Sequence, residues 1–171
     1  SLQGAIPLPR LHGTVRLLQT LLIRQEGDAH PARNNMSAAP RFHELSVARV
    51  NPEAAGSVAI TLAIPSELRE TFAFQPGQFL TLRSQIDGQD VRRSYSICCA
   101  QSRLVRDGEL EIGIRPMDGG VFSNWAATRL KSGDTLAVMP PDGRFTSKRP
   151  RALHRVGFAA GSGITPILSI M

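Results

Sequence analysis

FLTLRSQIDGQDVRRSYSI, residues 79–97, holds two β-rich runs, 79–84 and 90–97, separated by Asp87-Gly88. An Asp-Gly pair favours a turn, so the stretch reads as two strands joined through it. The second run ends on RRSYSI, residues 92–97, which gathers two cations, two hydroxyls and the chain's single tyrosine. A strand that merely packs alternates apolar with polar. Here the polar atoms cluster instead, with Arg93 and Tyr95 on one face of the extended chain and Ser94 and Ser96 on the other.

The same texture runs outward in both directions. Further strands are expected over 42–50, 57–64, 110–114 and 135–139, with turn chemistry at Asn51-Pro52, Gln75-Pro76-Gly77, Asp107-Gly108 and Pro141-Asp142-Gly143. Short strands at such spacing predict a small all-β antiparallel barrel. One short helix is expected to interrupt them, with Ser123 as N-cap, Trp125, Ala126, Ala127 and Leu130 on its buried side, and Lys131-Ser132-Gly133 as its end. Residues 155–160 form a short apolar run, followed by GSGITP at 161–166 and an apolar helical stretch to Met171. Strand, glycine turn and helix open a doubly wound nucleotide-binding sheet. One parallel strand cannot make a sheet, so this α/β domain is expected to be truncated at residue 171. Residues 1–35 lack sustained alternation and precede Met36. They are expected to be a leader outside the fold (tag, fusion or upstream translation), or a natural extension with a short helix at 15–24. The predicted organisation is a leader at 1–35, a barrel domain at 36–150 and the start of a nucleotide-binding domain at 151–171.

Composition narrows the function. The net charge of +6 is spread with no run of basic residues longer than two, whereas phosphate-backbone binders concentrate their charge on one face or arm, so no nucleic-acid partner is expected. The apolar run near Leu17 is too short to span a bilayer, and no membrane partner is expected. No metal is expected: the four histidines are scattered, and Cys98 and Cys99 are two thiols where an iron-sulfur cluster needs four. Neighbouring cysteines in a strand point to opposite faces, so they are read as reduced, in a cytoplasmic setting.

Three segments carry chemistry. A guanidinium at Arg93 can grip a phosphate while the Tyr95 ring lies on a flat heteroaromatic system, a pairing that suits a flavin nucleotide. Taken alone, the same residues also fit an edge strand with solvated arginines. IRPMDGGVFSNW, residues 114–125, runs from a strand through Gly119 and Gly120 to the start of the expected helix. Free amides at a helix tip bind anions, and Ser123 adds a hydroxyl. GSGITP departs from the dinucleotide fingerprint because Pro166 takes the sixth place, where the first helical turn tolerates it.

In this order and at these spacings, PGQF at 76–79, RRSYSI, IRPMDGGVFSNW, PDGRF at 141–145 and GSGITP resemble the ferredoxin-NADP reductase superfamily over residues 42–171. FHELSVARV, GGVFSNW and GDTLAVMPPDGRF make the chain most similar to reductase components of phenylacetyl-CoA epoxidase systems. The resemblance implies an FAD-dependent NAD(P)H oxidoreductase that passes electrons through FAD to a 2Fe-2S centre and an oxygenase component in phenylacetate degradation. It implies that Arg93 pairs with the FAD pyrophosphate, that Tyr95 packs on the isoalloxazine and that Ser94 lies beside them. Ser96 would hydrogen-bond near flavin N5, making Tyr95 and Ser96 the catalytic pair. Ile114 and Arg115 would line the adenosine and ribityl side; Gly119, Gly120, Phe122 and Ser123 would close over the phosphates. Gly161, Ser162, Gly163, Ile164, Thr165 and Pro166 would begin the NAD(P) site, with Thr165 where nicotinamide meets flavin. Two departures stand out. No counterpart of the ferredoxin domain that carries the 2Fe-2S cluster in that branch is expected among residues 1–171, nor is most of the nucleotide-binding sheet. Arg115 stands where lysine is commoner. A non-catalytic flavin-binding module is therefore the alternative, and a partly folded product with an exposed apolar tail is a third reading.

Overall fold

A computed structural model describes residues 41–146 and 156–171 of the chain, all within the unit Ala38–Met171. The leader at 1–35, with its expected helix at 15–24, and the boundary near residue 150 lie outside the described residues.

All six expected barrel strands form: β1 (His43–Pro52), β2 (Val58–Ala63), β3 (Phe79–Ile86), β4 (Gln89–Ser96), β5 (Glu109–Ile114) and β6 (Thr135–Val138). They make one antiparallel sheet in the order β4-β3-β6-β1-β2-β5. Every strand but β4 presents alternate apolar residues inward. Val58, Ile60 and Leu62 stand opposite Ile114, Ile112 and Leu110, and all six are buried. Leu45, Leu80, Leu82, Leu136 and Val138 complete the same inner face, each side chain contributing roughly 1.5 to 3 kcal/mol by leaving water. A register shift between Val47 and Arg49 bends β1, since an extra residue on one strand sharpens the local twist. The sheet curls until its edge strands meet: Ile97 bridges Ile112, and the Cys98 amide donates to the Glu111 carbonyl oxygen at 2.9 Å.

Between β2 and β3 the chain crosses the barrel end, where Phe72 and Phe74 are buried and His43 meets Phe72 edge-on at 5.6 Å. Gly77 has a φ of +97°, and a Cβ there would stand 1.8 Å from the Phe145 carbonyl oxygen. Only glycine fits both the backbone angle and the space, which accounts for the glycine in PGQF.

Four expectations need correction. The barrel has two helices before residue 140: α1 (Gln101–Asp107) and α2 (Val121–Thr128). Helix α1 buries only Leu104, so it leaves no apolar periodicity to read, and Gly108, which the sequence suggests is part of a simple turn, is its C-cap with a φ of +68°. Gly120, not Ser123, caps α2, which ends at Thr128. Strand β1 continues through Asn51-Pro52, and the chain reverses at Ala54–Gly56. Residues 156–160, expected as a strand, join none; a 3-10 turn at Gly161–Gly163 leads into α3 (Ile164–Ile170). Phe158 is 91% exposed and Met171 86%. Among the described residues no helix is long and apolar enough to cross a membrane.

Helix α1 is pinned to β5 by charge. Arg103 donates to Glu111 at 2.7 Å and to Glu109 at 3.2 Å, and Arg49 joins Glu109 from β1. The Arg49 guanidinium, aided by Arg103, holds the Glu109 carboxyl below its ordinary range against an opposing push from burial. Its stabilising contribution is therefore complete above the ordinary carboxylate range and disappears as pH falls through the depressed value. Arg103→Ala should cost about 1 to 2 kcal/mol at neutral pH, and the variant should lose less further stability on acidification than the parent. Denaturant melts across pH measure both; parallel losses in the two proteins would remove Arg103 from the network. Burial, then the Glu111 carboxylate, pushes the half-exposed Cys98 thiol up to about 12. Iodoacetamide should accordingly alkylate it at least about tenfold more slowly than a free thiol at neutral pH.

Candidate functional site

The two adjacent arginines of RRSYSI have opposite fates. Arg92 points outward, directly across from Arg83, a like-charge pair that would repel. Both guanidiniums stack on Phe42, at 4.3 Å for Arg83 and 5.4 Å for Arg92, and Asp90 pairs with Arg92 at 3.3 Å. Arg92 is thus structural. Arg93 and Tyr95 share the inward face, opposite Leu82 and Leu80, with Val91 and Ile97 buried on either side. At this end of the barrel Arg93 nevertheless stays exposed. Its guanidinium donates to the Arg92 carbonyl oxygen at 2.6 Å, and among the described residues no carboxylate pairs with it. Ser94 shares a hydrogen bond with Thr81 at 2.9 Å, while Ser96, half-buried, ends the strand.

Tyr95 connects β4 to the glycine loop. Its ring lies 5.8 Å from Phe122 in the first turn of α2, and Phe122 meets Trp125 edge-on at 5.5 Å. The RRSYSI strand and the helix following Gly119-Gly120 therefore stand side by side. Burial raises the Tyr95 phenol above its ordinary value, with the Arg93 charge pulling the other way.

The loop is held from inside. The Gly120 amide donates to the Met117 carbonyl oxygen at 2.9 Å, and the Asn124 amide group donates to the carbonyl oxygens of Met117 and Gly120, both at 2.8 Å. The Ser123 hydroxyl accepts from the Met117 amide and donates to the Gly120 carbonyl oxygen, each at 3.3 Å. A Cβ on Gly120 would stand 2.4 Å from that hydroxyl, whereas Gly119, with a φ of +71°, faces open space. The first amides of α2 are left for an anion, as at any helix start. Beside them lies a cavity of about 340 Å³ lined in part by Asp87, Gly119, Gly120, Val121, Trp125 and Arg129, with Arg129 bonded to Asp87 at 2.9 Å. Arg93 and Tyr95 are not among the residues lining that cavity; the bare loop with its free amides and the exposed guanidinium on the adjacent strand are groups that would fit a pyrophosphate.

Three expected side chains do not present themselves. Ile114 and Phe122 are core residues at 0% and 1% exposure, so only their backbone faces the loop. Ser123 is buried and its hydroxyl is spent within the loop. Arg115 is exposed just beyond β5. Gly161, Ser162, Gly163 and Ile164 are exposed, and Thr165 and Pro166 are half-buried at the start of α3. Asn124, given no role from sequence, is the loop's main clamp; an amide side chain near a helix start, where local backbone bonds compete with the helix, was the available signal.

Residues 53–147 match the model of the "Oxidoreductase FAD-binding domain" family. The chain is 43% identical to one of the subunits of the 1,2-phenylacetyl-CoA epoxidase of Escherichia coli (strain K12), covering 76% of this chain and 36% of that protein. It is 41% identical to the ferredoxin reductase component of the 3-ketosteroid-9-alpha-monooxygenase of Rhodococcus rhodochrous, over 74% of this chain and 35% of that one. The chain spans about a third of the length of these curated relatives. A ferredoxin NADP+ reductase from Neisseria gonorrhoeae, solved with bound FAD and NADP, shares the fold: its TM-score is 0.59 at 22% identity, over 77% of this chain and 51% of that one.

With a single tyrosine, the phenol can be titrated without ambiguity by ultraviolet difference spectroscopy. It should ionise at higher pH than free tyrosine, and Arg93→Ala should push it higher still by removing the favourable charge. Ionisation at or below the free value would contradict the packing of Tyr95 on Phe122.

Proposed function

Because the chain belongs to the oxidoreductase FAD-binding domain family, within the ferredoxin-NADP reductase superfamily, we propose that Arg93 and the first amides of α2 hold the two phosphates of one FAD while Tyr95 packs on its ring system. The observation that carries this reading is the contact between Tyr95 and Phe122, which sets the arginine strand against the glycine loop. When bound, FAD would supply the redox chemistry between NAD(P)H and an iron-sulfur centre, held by Arg93, Tyr95 and the first amides of α2. This chain's residues bind and orient. Arg93 has no competing carboxylate among the described residues, so its charge is available to the pyrophosphate. Gly119 keeps a side chain out of the approach to the amides, Gly120 leaves room for the Ser123 hydroxyl, and the Ser123 and Asn124 bonds hold those amides in place before any ligand arrives. Ser94 supports the strand, Ser96 offers a hydroxyl toward flavin N5, and Arg115 and the backbone of Ile114 face the ribityl and adenosine side. Gly161, Ser162, Gly163, Ile164, Thr165 and Pro166 begin the NAD(P) site, with Thr165 toward the nicotinamide.

We place the flavin domain at 36–150 and the start of the nucleotide domain at 151–171. Relatives named as part of a phenylacetyl-CoA epoxidase and as a monooxygenase reductase component support an oxygenase as electron acceptor and phenylacetate degradation as the setting; we place the chain in the cytoplasm.

The single tryptophan, Trp125, lies one ring from Tyr95 and reports FAD binding by quenching. A charge-assisted hydrogen bond is worth roughly 1.5 to 3 kcal/mol, so Arg93→Ala should weaken FAD about ten- to a hundredfold. Unchanged affinity would remove Arg93 from the site. Ser96→Ala should keep FAD and slow flavin reduction by NAD(P)H in a chain with the complete nucleotide domain; equal rates would count against its role. Bleaching of the flavin in this chain by NADH or NADPH supports an enzyme, and a yellow protein indifferent to both supports a flavin-binding module without catalysis.

A further inference from the structure

Helix α3 touches the barrel through one face. Thr165 and Ser169, four residues apart, share one helical side and Ile170 flanks it, and each meets a different part of the barrel. Ser169 is 5% exposed and donates its hydroxyl to the Cys99 carbonyl oxygen at 3.0 Å. Ile170 reaches over Gly77, where a Cβ would lie 3.3 Å from its Cδ1. Thr165 stands on Gly113 of β5, its methyl 3.0 Å from where a Cβ would be.

Gly113 is the unexpected member. Along β5 the residues turned away from the core are Glu109, Glu111 and Gly113; the first two carry the charge network of α1, and the third is bare. A glycine inside a strand costs stability and often marks a close approach by another part of the chain. Here the approaching group is Thr165. Gly113 follows Ile112, Ile112 bridges Ile97, and Ile97 follows Ser96. Ser169 grips the same strand end, three residues beyond Ser96.

We propose that Gly113 and Ser169 are positioning residues that seat α3 on the barrel and thereby set where Thr165 stands relative to the Ser96 end of β4, neither of them touching a cofactor. The inference rests on the flavin reading only for the role it gives Thr165.

The test uses the full chain with Gly113→Val and Ser169→Ala. Valine is the better strand former, so Gly113→Val should not lower the unfolding midpoint through β5 while its methyls displace Thr165. In both variants amide hydrogen exchange of residues 164–171 should rise about tenfold or more, as expected for a segment that opens locally. FAD affinity, read from Trp125, should change less than about threefold, while iodide quenching of bound flavin should rise about threefold as the ring edge opens to solvent. Should Gly113→Val fail to fold, Gly113→Ala, whose methyl asks Thr165 to give by only a few tenths of an ångström, should show the same rise at smaller amplitude. Exchange in α3 equal to the parent's in the folded variants would overturn the proposal. If the parent takes up no FAD, the flavin reading fails and the seat is decided by exchange alone: a rise upholds it and no rise overturns it.

Discussion

Closure of the sheet is the constraint on which the rest depends. In an open sheet of order β4-β3-β6-β1-β2-β5, the first and last strands would lie at opposite edges, and nothing on β4 could cooperate with anything following β5. The bridge between Ile97 and Ile112 brings those edges together. It is secured by the burial of both side chains and by the amide bond from Cys98 to Glu111. The candidate site lies at this seam, with Arg93, Tyr95 and Ser96 arriving on β4, and Ile114, Arg115 and the glycine loop leaving β5. Closure also limits the edge exposure that makes open sheets prone to pairing with other chains.

The outer surface of the seam is stiffened by charge rather than by apolar packing. Arg49, Arg103, Glu109 and Glu111 run across β1, α1 and β5, with Thr61 buried beneath them and donating to Glu111 at 3.2 Å. Each pair is partly exposed and modest in strength, but Arg103 holds two carboxylates and so fixes α1 directly after the strand end that carries the site. The Cys98 and Cys99 thiols sit inside this arrangement. Burial and the neighbouring carboxylate keep Cys98 protonated, so two adjacent cysteines at the seam need not be reactive.

Strands are legible because their signal is local. Alternation and turn residues locate all six, and the shared face of Arg93 and Tyr95 follows from the pleat alone. What escapes depends on contacts distant in sequence. Helix α1 has one buried residue, Leu104, and is held by ion pairs to β5, which leave no periodicity behind. Ser123 has the chemistry of an N-cap, yet it sits in the third position of α2 because Gly120 supplies the extended residue before the helix. The family resemblance gives Ile114 and Phe122 places at the site, whereas the barrel phase assigns their side chains to the core. That Arg92 and Arg93 lie on opposite faces, with Asp90 beside Arg92, is legible from the pleat; that Arg92 meets Phe42 is not, because this contact is distant in sequence.

The glycine pair shows how the loop comes to be ready before a ligand arrives. Gly119 is required for its backbone, since a φ of +71° strains other residues, and it faces open space where a phosphate can come close. Gly120 has an ordinary extended backbone and is required for room, because a Cβ would displace the Ser123 hydroxyl. That hydroxyl and the Asn124 amide group satisfy the loop's inner carbonyls, so these polar groups have no reason to turn toward a bound anion. The outward amides are therefore fixed by bonds that no ligand needs to break. On the proposed reading, an anion arriving there would meet donors already aligned and would not have to order them, which lowers the cost of binding to a shallow, exposed loop.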